Sequence, residues 1–330
     1  MNNQKHGPAI VAIGGGHGLS AVLRGLKNCT DDLTAIVTVA DDGGGSGTLR
    51  EELGMPPPGD IRNCMEALAD EESLMRTLLA YRYPEGRLAG QAFGNLLLAA
   101  LDGISPSFDQ AVAQMSQVLA IRGTILPVTN ENVQLEAVFE NGTRVCGESK
   151  IFAFKKQQNC GIHHVRLIPE HPPALPAALD AIARADVIML GPGSLYTSVI
   201  PNLLVDGISH AIEESPALKI YVCNIMTQDG ETEGMTASDH LAALLEHGGP
   251  KLVDLCLCNS ATISGELLSR YRQEDAVPLV IDRREMELMG ADVVCRPLTD
   301  ENIGYARHSG KKVADAVIEL YKQRSHTQIF

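Results

Sequence analysis

Residues 9 to 13, AIVAI, form an unbroken apolar run that stops at Gly14, and beyond Gly18 the apolar positions respace to Leu19, Val22, Leu23 and Leu26. A short continuous run followed by three- and four-residue spacing predicts a strand, a glycine turn and an amphipathic helix. A second apolar run over 33 to 40, LTAIVTVA, supplies another strand, so the first forty residues read as a βαβ unit with parallel pairing and a right-handed crossover.

Further along, Ile61, Met65 and Leu68 share one helical face behind Asp60, which the pattern places as an N-cap after a triple proline. A third helix starts near Asn95, and a fourth spans 108 to 119 with Phe108, Val112, Met115 and Leu119 in register. From 123 to 169 the texture turns to β: ILPVT, VQLEAVFENGTRVCGESK and HHVRLIP read as short strands, with Asn141-Gly142 as a type I′ hairpin turn. Alternation of helix and strand resumes at 174. Strands are predicted at VIML, KIYVC, VDLCLCN, PLVID and VVCRPL, helices near 202 to 213 and 239 to 246, and a closing helix from about 310 to 323. The fold class is therefore α/β, a doubly wound mainly parallel sheet with an inserted antiparallel β subdomain. The divisions fall at 1–122 for the N-terminal part and 123–170 for the insertion; 171–324 completes the same domain, and 325–330 is a tail.

Composition narrows the function. A net charge of -14, from 27 basic and 41 acidic residues, lacks the cationic stripe that tracks nucleic-acid phosphates, although backbone N–H groups could still hold a small anion. No leader and no long apolar window appear, so a cytoplasmic protein without a membrane span is expected. Eight cysteines without a CxxC pair fit reduced thiols, and Cys256 and Cys258, on one face of a strand, lack two further ligands for zinc.

The chemistry collects at inferred strand ends. Gly14-Gly15-Gly16-His17-Gly18 lies where a strand enters a helix and can meet a phosphate. The dinucleotide fingerprint is broken because position 19 is Leu, and no Gly-Lys-Ser/Thr follows; a ligand-free turn is the plainer alternative. Asp41 and Asp42 end the second strand, where a carboxylate can accept from ribose or hold magnesium. The run from Gly43 through Gly44 to Thr48 lets backbone pass close to a ligand, with Ser46 and Thr48 as donors and Arg50 as a counter-charge; Asp-Gly-Gly is also ordinary turn chemistry. Arg62 and Asn63, and Gly94 and Asn95, lie at helix starts that either face the sheet's carboxyl edge or sit in solvent.

Gly191 to Ser198 forms another such loop, with Gly193 and Ser194 at its centre, and the Pro and Tyr at 192 and 196 exclude a nucleophile elbow. Asn224, Thr227, Gln228, Gly230 and Glu231 make a third loop, and Asn259 marks a fourth. Together they describe one cleft. Late in the chain, Tyr271 and Arg307 could stack on a base or clamp a diphosphate, while His17, His240 and His308 have no paired base or nucleophile.

IGGGHGLSAVLRGLK, TVADDGGGSGTLREELGMPPPGDIRNC, AFGNLLLAAL, LGPGSLYTSVIPNLLV and NIMTQDGETEGM, in this order, resemble the motifs of the YvcK/CofD family. The resemblance implies a Rossmann-like nucleotide-binding architecture with two functional branches. One is the magnesium-dependent 2-phospho-L-lactate transferase, acting on a deazaflavin. The other is the bacterial gluconeogenesis factor, implicated in cell morphology on gluconeogenic carbon sources and in binding UDP-N-acetylglucosamine.

VADDGGGSG and GPGSLYTS are similar to the bacterial form, whereas the transferase branch typically carries D-N-G-G; no aromatic-rich stretch suited to a deazaflavin is visible, and the chain has no Trp. By this resemblance the ligand-facing residues are Gly15, Gly16, His17, Gly18, Asp41, Asp42, Gly44, Ser46, Asn95, Gly193 and Ser194. Arg62, Asn224, Tyr271 and Arg307 join them from the reading of the loops. The implied ligand is a nucleotide or UDP-sugar, and magnesium on Asp41 and Asp42 belongs to a transferase alternative. An NAD-binding oxidoreductase is a third reading, weakened by Leu19. Protein partners in cell-wall or carbon-metabolism regulation and a homo-oligomer are both compatible with the regulatory branch.

Overall fold

The structure, a computed structural model, describes residues 7–69, 74–300 and 305–327. The opening unit forms as the pattern predicts: β1 (Ile10–Gly14), α1 (Gly16–Leu26) and β2 (Leu33–Val37), with β1 and β2 parallel from the Ile10–Leu33 pair to Gly14–Val37. Every residue of β1 is buried, which is why it reads as a continuous apolar run and not as an alternation. There follow α2 (Gly44–Leu53), α3 (Gly59–Leu68), α4 (Leu74–Ala80), α5 (Phe93–Ile104), α6 (Phe108–Val118) and β3 (Thr124–Pro127).

The antiparallel part comprises β4 (Gln134–Phe139), β5 (Arg144–Cys146) and β6 (Ile162–Ile168), with helix α7 (Glu148–Gln158) between the last two. After α8 (Pro176–Arg184) come β7 (Val187–Leu190), a π-helical turn over Leu195–Val199, α9 (Ile200–Leu203) and α10 (Ile208–Glu214). The chain continues with β8 (Leu218–Val222), α11 (Ala237–Gly248), β9 (Leu255–Asn259), α12 (Gly265–Gln273), α13 (Arg283–Leu288) and β10 (Asp292–Arg296), then a short hairpin and α14 (Gly310–Thr327).

Among the described residues seven strands form one parallel sheet in the order β10-β9-β8-β7-β1-β2-β3, and β5-β4-β6 make the small antiparallel sheet. The order is Rossmann-like: the chain winds outward from β1 to β3, returns across the sheet and winds outward again from β7. The core lies between this sheet and its helices, and α1 packs Leu19, Val22, Leu23 and Leu26 into it. A buried amide, Asn202, ties the sheet to the following helix by donating to Ser198 O at 2.8 Å and Gly14 O at 3.3 Å. No helix among the described residues is long and apolar enough to cross a membrane.

Several local expectations are corrected. ILPVT does not join the antiparallel block; as β3 it pairs parallel with β2, because a short apolar strand carries no mark of the sheet it will enter. Asn141-Gly142 does turn a hairpin, but only Gly142 takes a positive φ, so the turn is not type I′. PLVID is no strand and keeps a single bridge, Met226 to Pro278. The closing helix runs to Thr327, past the predicted start of the tail, and positions 328–330 lie outside the described residues.

Candidate functional site

Where strand order reverses in an open α/β sheet, the loops leaving the two strands diverge and open a crevice at the carboxyl ends. Here that point lies between β1 and β7. A cavity of about 740 Å3 occupies it and reaches over the ends of β2 and β8.

Much of its wall is backbone. Gly15 and Gly16 lead into α1, Gly43 to Gly45 into α2 and Gly59 into α3, and Asn95 faces the cavity from the first turn of α5. None of these four helices is capped by the side chain of its own N-cap residue, although carboxyls from elsewhere take two of the N–H groups, Asp60 that of Gly16 and Asp41 that of Gly43. The N–H groups that remain and the positive ends of four helices around one space favour an anion. Close approach makes glycine necessary at Gly18, where any Cβ would overlap the Pro192 carbonyl, and Gly44 takes a φ of +49°.

Three carboxyls reach the same space. Asp41 follows β2, and its Oδ1 accepts from the Gly43 N–H at 2.7 Å; burial raises its pKa against the pull of the Gly43 and Ser46 hydrogen bonds. Asp60 is not an N-cap but the second residue of α3, and its carboxylate accepts from the Gly16 N–H at the start of α1. Burial, and then Asp41, lift it to about 7. Glu148, the first residue of α7, is pushed up to about 9 by burial and then by Asp41 and Asp60. At neutral pH the cavity therefore carries less negative charge than three carboxyls imply, which leaves room for an anionic ligand.

Arg62 is buried, contrary to the solvent alternative. It donates from Nε to Asn95 Oδ1 at 3.0 Å and from Nη2 to Asn63 Oδ1 at 2.7 Å, and it pairs with Glu66. On the opposite wall Ser194 Oγ donates to Gln228 Oε1 at 2.9 Å. Behind it, buried Glu231 takes the N–H groups of Tyr196 and Thr197, and burial raises its carboxyl to about 7. The donors at that helix start are already engaged, so what this loop offers a ligand is Gly193, Ser194 and Ser198. At the rim the Tyr271 hydroxyl accepts from the Ala306 N–H at 3.1 Å, and the Arg307 guanidinium lies 5.0 Å from the centre of the Tyr305 ring.

The family model described as "2-phospho-L-lactate transferase CofD" matches residues 10–299. This chain belongs to the CofD family. A Clostridium acetobutylicum relative is 50% identical over 95% of this chain and 69% of its own length. The Bacillus subtilis protein named "Gluconeogenesis factor" is 46% identical over 96% of this chain and 99% of its own. A crystal structure of a UPF0052 family member from Bacillus halodurans superposes with a TM-score of 0.90 at 45% identity, covering 93% of this chain and 98% of that one. The CofD match spans the cavity wall from Gly15 to Tyr271 and stops short of the segment carrying Arg307.

In this CofD-family cleft, Gly15, Gly16, His17, Gly18, Asp41, Gly44, Ser46, Arg62, Asn95, Gly193, Ser194, Asn224, Tyr271 and Arg307 all face the cavity. Asp42 does not. Its Oδ1 accepts instead from the Ser149 N–H and hydroxyl at 2.8 Å each. The pair predicted for magnesium is thereby split, and no three Asp, Glu, His or Cys side chains among the described residues converge to hold a metal ion.

Arg50 is also turned away, donating to Asn132 Oδ1 at 2.7 Å, and Asn259 accepts from Ala261 and Leu298 N–H groups outside the cavity. His308 lines the cavity but its Nε2 bonds Cys223 O at 3.1 Å, and His240 is buried against the Tyr221 hydroxyl. Sequence reasoning missed Glu148, Arg82 and the inward face of Asp60. Asp60 had a sufficient local explanation as a cap, and a single Gly-Glu pair inside β-textured sequence gives no signal for Glu148.

Proposed function

We propose that the cleft binds a nucleoside-diphosphate sugar of the UDP-N-acetylglucosamine kind, and that the protein acts through this ligand as a regulator of the gluconeogenesis-factor type, supporting growth and cell shape on gluconeogenic carbon sources. The observation that carries the reading is the convergence of the starts of α1, α2, α3 and α5 on one cavity at the strand switch. The diphosphate lies across the glycine turns of α1 and α2, Asp41 accepts from ribose or base, and the sugar extends toward Ser194 and Asn224. A volume of about 740 Å3 is in the range of small-molecule sites, roughly 300 to 1,000 Å3.

A second reading, a magnesium-dependent phosphoryl-group transferase, draws on the description of the matching family model. In it the same backbone donors steady charge developing on phosphorus. Calorimetry with UDP-N-acetylglucosamine, GDP and NAD, each with and without magnesium, separates the two when combined with a search for product after long incubation. Binding of the UDP-sugar without turnover supports the regulator; magnesium-dependent conversion of a nucleotide supports the transferase. NAD serves as the control for the broken dinucleotide fingerprint.

A further inference from the structure

The inserted segment sends α7 to the cleft, and both ends of this helix are tied down. At its start Asp42 Oδ1 accepts from the N–H and the hydroxyl of Ser149, at 2.8 Å each. The other oxygen of Asp42 packs against Gly147, whose φ of +104° suits glycine and where an added Cβ would lie 2.5 Å from Oδ2. Toward the far end, buried Lys155 pairs with Glu233 at 3.0 Å and the Phe152 ring lies against Gly230. α7 thus joins the loop after β2 to the loop after β8, on opposite sides of the strand switch.

Glu148 sits between Gly147 and Ser149, the two residues that Asp42 touches, and it faces the cavity. Its placement therefore depends on Asp42. Resting on the reading of the cleft as a diphosphate site, we propose that Glu148 contacts the ligand directly, donating a hydrogen bond to a phosphate oxygen, and that Asp42 is its positioning residue.

The surroundings suit a donor. Asp41 from the loop after β2, Asp60 from α3 and Glu231 from the loop after β8 all raise the pKa of Glu148, against the opposing pull of a hydrogen bond from the Thr197 side chain. Burial first and these charges next hold its pKa at about 9, so it keeps its proton at neutral pH. An ionised carboxylate could only accept, and would repel a phosphate; the neutral acid offers an O–H. The same geometry explains why adjacent acids, Asp41 and Asp42, divide their tasks: one lines the cleft and the other builds its far wall.

Calorimetric titration with UDP-N-acetylglucosamine tests both halves. Between pH 7 and 10 wild-type affinity should fall about tenfold more than that of Glu148→Gln, which keeps a donor and cannot titrate; Asp60, Glu231 and the ligand's own uracil ionise alike in both and cancel in the comparison. Glu148→Ala and Asp42→Ala should each weaken binding about tenfold, and the double variant no further than either alone. Asp42→Asn, retaining an acceptor oxygen, should recover most of the loss. Undiminished affinity in Glu148→Ala overturns the contact, and additive losses in the double variant overturn the positioning. Amide hydrogen exchange on the ligand-free protein reads the positioning separately: Asp42→Ala should speed exchange at Ser149 to Ile151 while β1 stays protected, and unchanged exchange there overturns it. If the wild type binds none of UDP-N-acetylglucosamine, GDP and NAD, the reading of the cleft fails and the ligand contact with it, while exchange still decides the role of Asp42.

Discussion

Glu231 Oε1 accepts hydrogen bonds from the N–H groups of both Tyr196 and Thr197, at 2.9 and 3.1 Å. A carboxylate from the loop after β8 thereby closes the helix start that follows β7, one of the strand-end loops from which the sequence builds the cleft. Glu231 is 4% exposed, and its Oε2 is buried with no hydrogen-bond partner among the described residues. Glu231→Ala strands two N–H groups and should cost about 2 to 6 kcal/mol in urea denaturation, at about 1 to 3 kcal/mol for each unsatisfied buried donor. Glu231→Gln keeps the accepting oxygen and should cost about 1 kcal/mol. An alanine variant as stable as wild type would show that these bonds do not hold the loop.

Gly18 and Gly25 lie on the same helix and offer a controlled pair. At Gly18 a Cβ would overlap the Pro192 carbonyl beneath the cleft; at Gly25 it would overlap the Gly310 carbonyl where α1 meets α14. Both alanine variants should lose about 1 to 3 kcal/mol of stability, the usual cost of overpacking. Only Gly18→Ala should also lose nucleotide affinity, by about tenfold or more in calorimetry, because it separates the two strand-end loops that form the site. Equal loss of affinity in both variants would mean that stability alone governs binding.

The contrast between these elements shows what a sequence exposes. β1, β7 and β8 are buried throughout, so their apolar runs are visible without any knowledge of their neighbours. The cleft was legible for a related reason: glycine and short polar residues directly after a buried strand have few purposes other than a turn or a ligand. The helix of Gly44–Leu53 was not, since glycine is a poor helix former and a glycine-rich start looks like a loop until tertiary contacts hold it. Asp42 and Ser149 are 107 residues apart, and no local pattern announces a helix capped from across the cleft.

Asp41 combines a structural and a proposed recognition role that one substitution can part. Its Oδ1 holds the Gly43 N–H, a bond that an asparagine side-chain oxygen can also make. Asp41→Asn should therefore leave the melting temperature nearly unchanged while weakening nucleotide binding, through loss of the charged acceptor for ribose or base. A large drop in melting temperature with intact affinity would reduce Asp41 to a turn residue.

The buried acids set an unusual dependence of stability on pH. Asp60 and Glu231 titrate at about 7 and Glu148 at about 9, above the ordinary 3.8 of an aspartate and 4.5 of a glutamate. Between the unfolded and the folded value the native protein keeps a proton that the unfolded chain has released, so stability rises as pH falls. Of these acids Glu148 alone supplies this slope from pH 9 toward 7, and Asp60 and Glu231 join it near 7. Near pH 9 the Cys64 thiol, which burial holds protonated in the native state, and the Cys223 thiol, held so by neighbouring thiols and burial, add to it. His240 and His308 act in the opposite sense: burial lowers both to about 4, so below the ordinary 6.5 the unfolded chain takes up protons that the native state refuses. Scanning calorimetry should find the melting temperature climbing from pH 9 to about 6.5 and then levelling as the histidines offset the acids. Glu148→Gln should make the climb shallower throughout and most nearly flat between about pH 7 and 8, where neither the thiols nor the other two acids contribute much. A melting temperature that falls steadily on acidification from pH 9 would mean that these carboxyls are ionised in the native cleft, and would remove the neutral donor at Glu148.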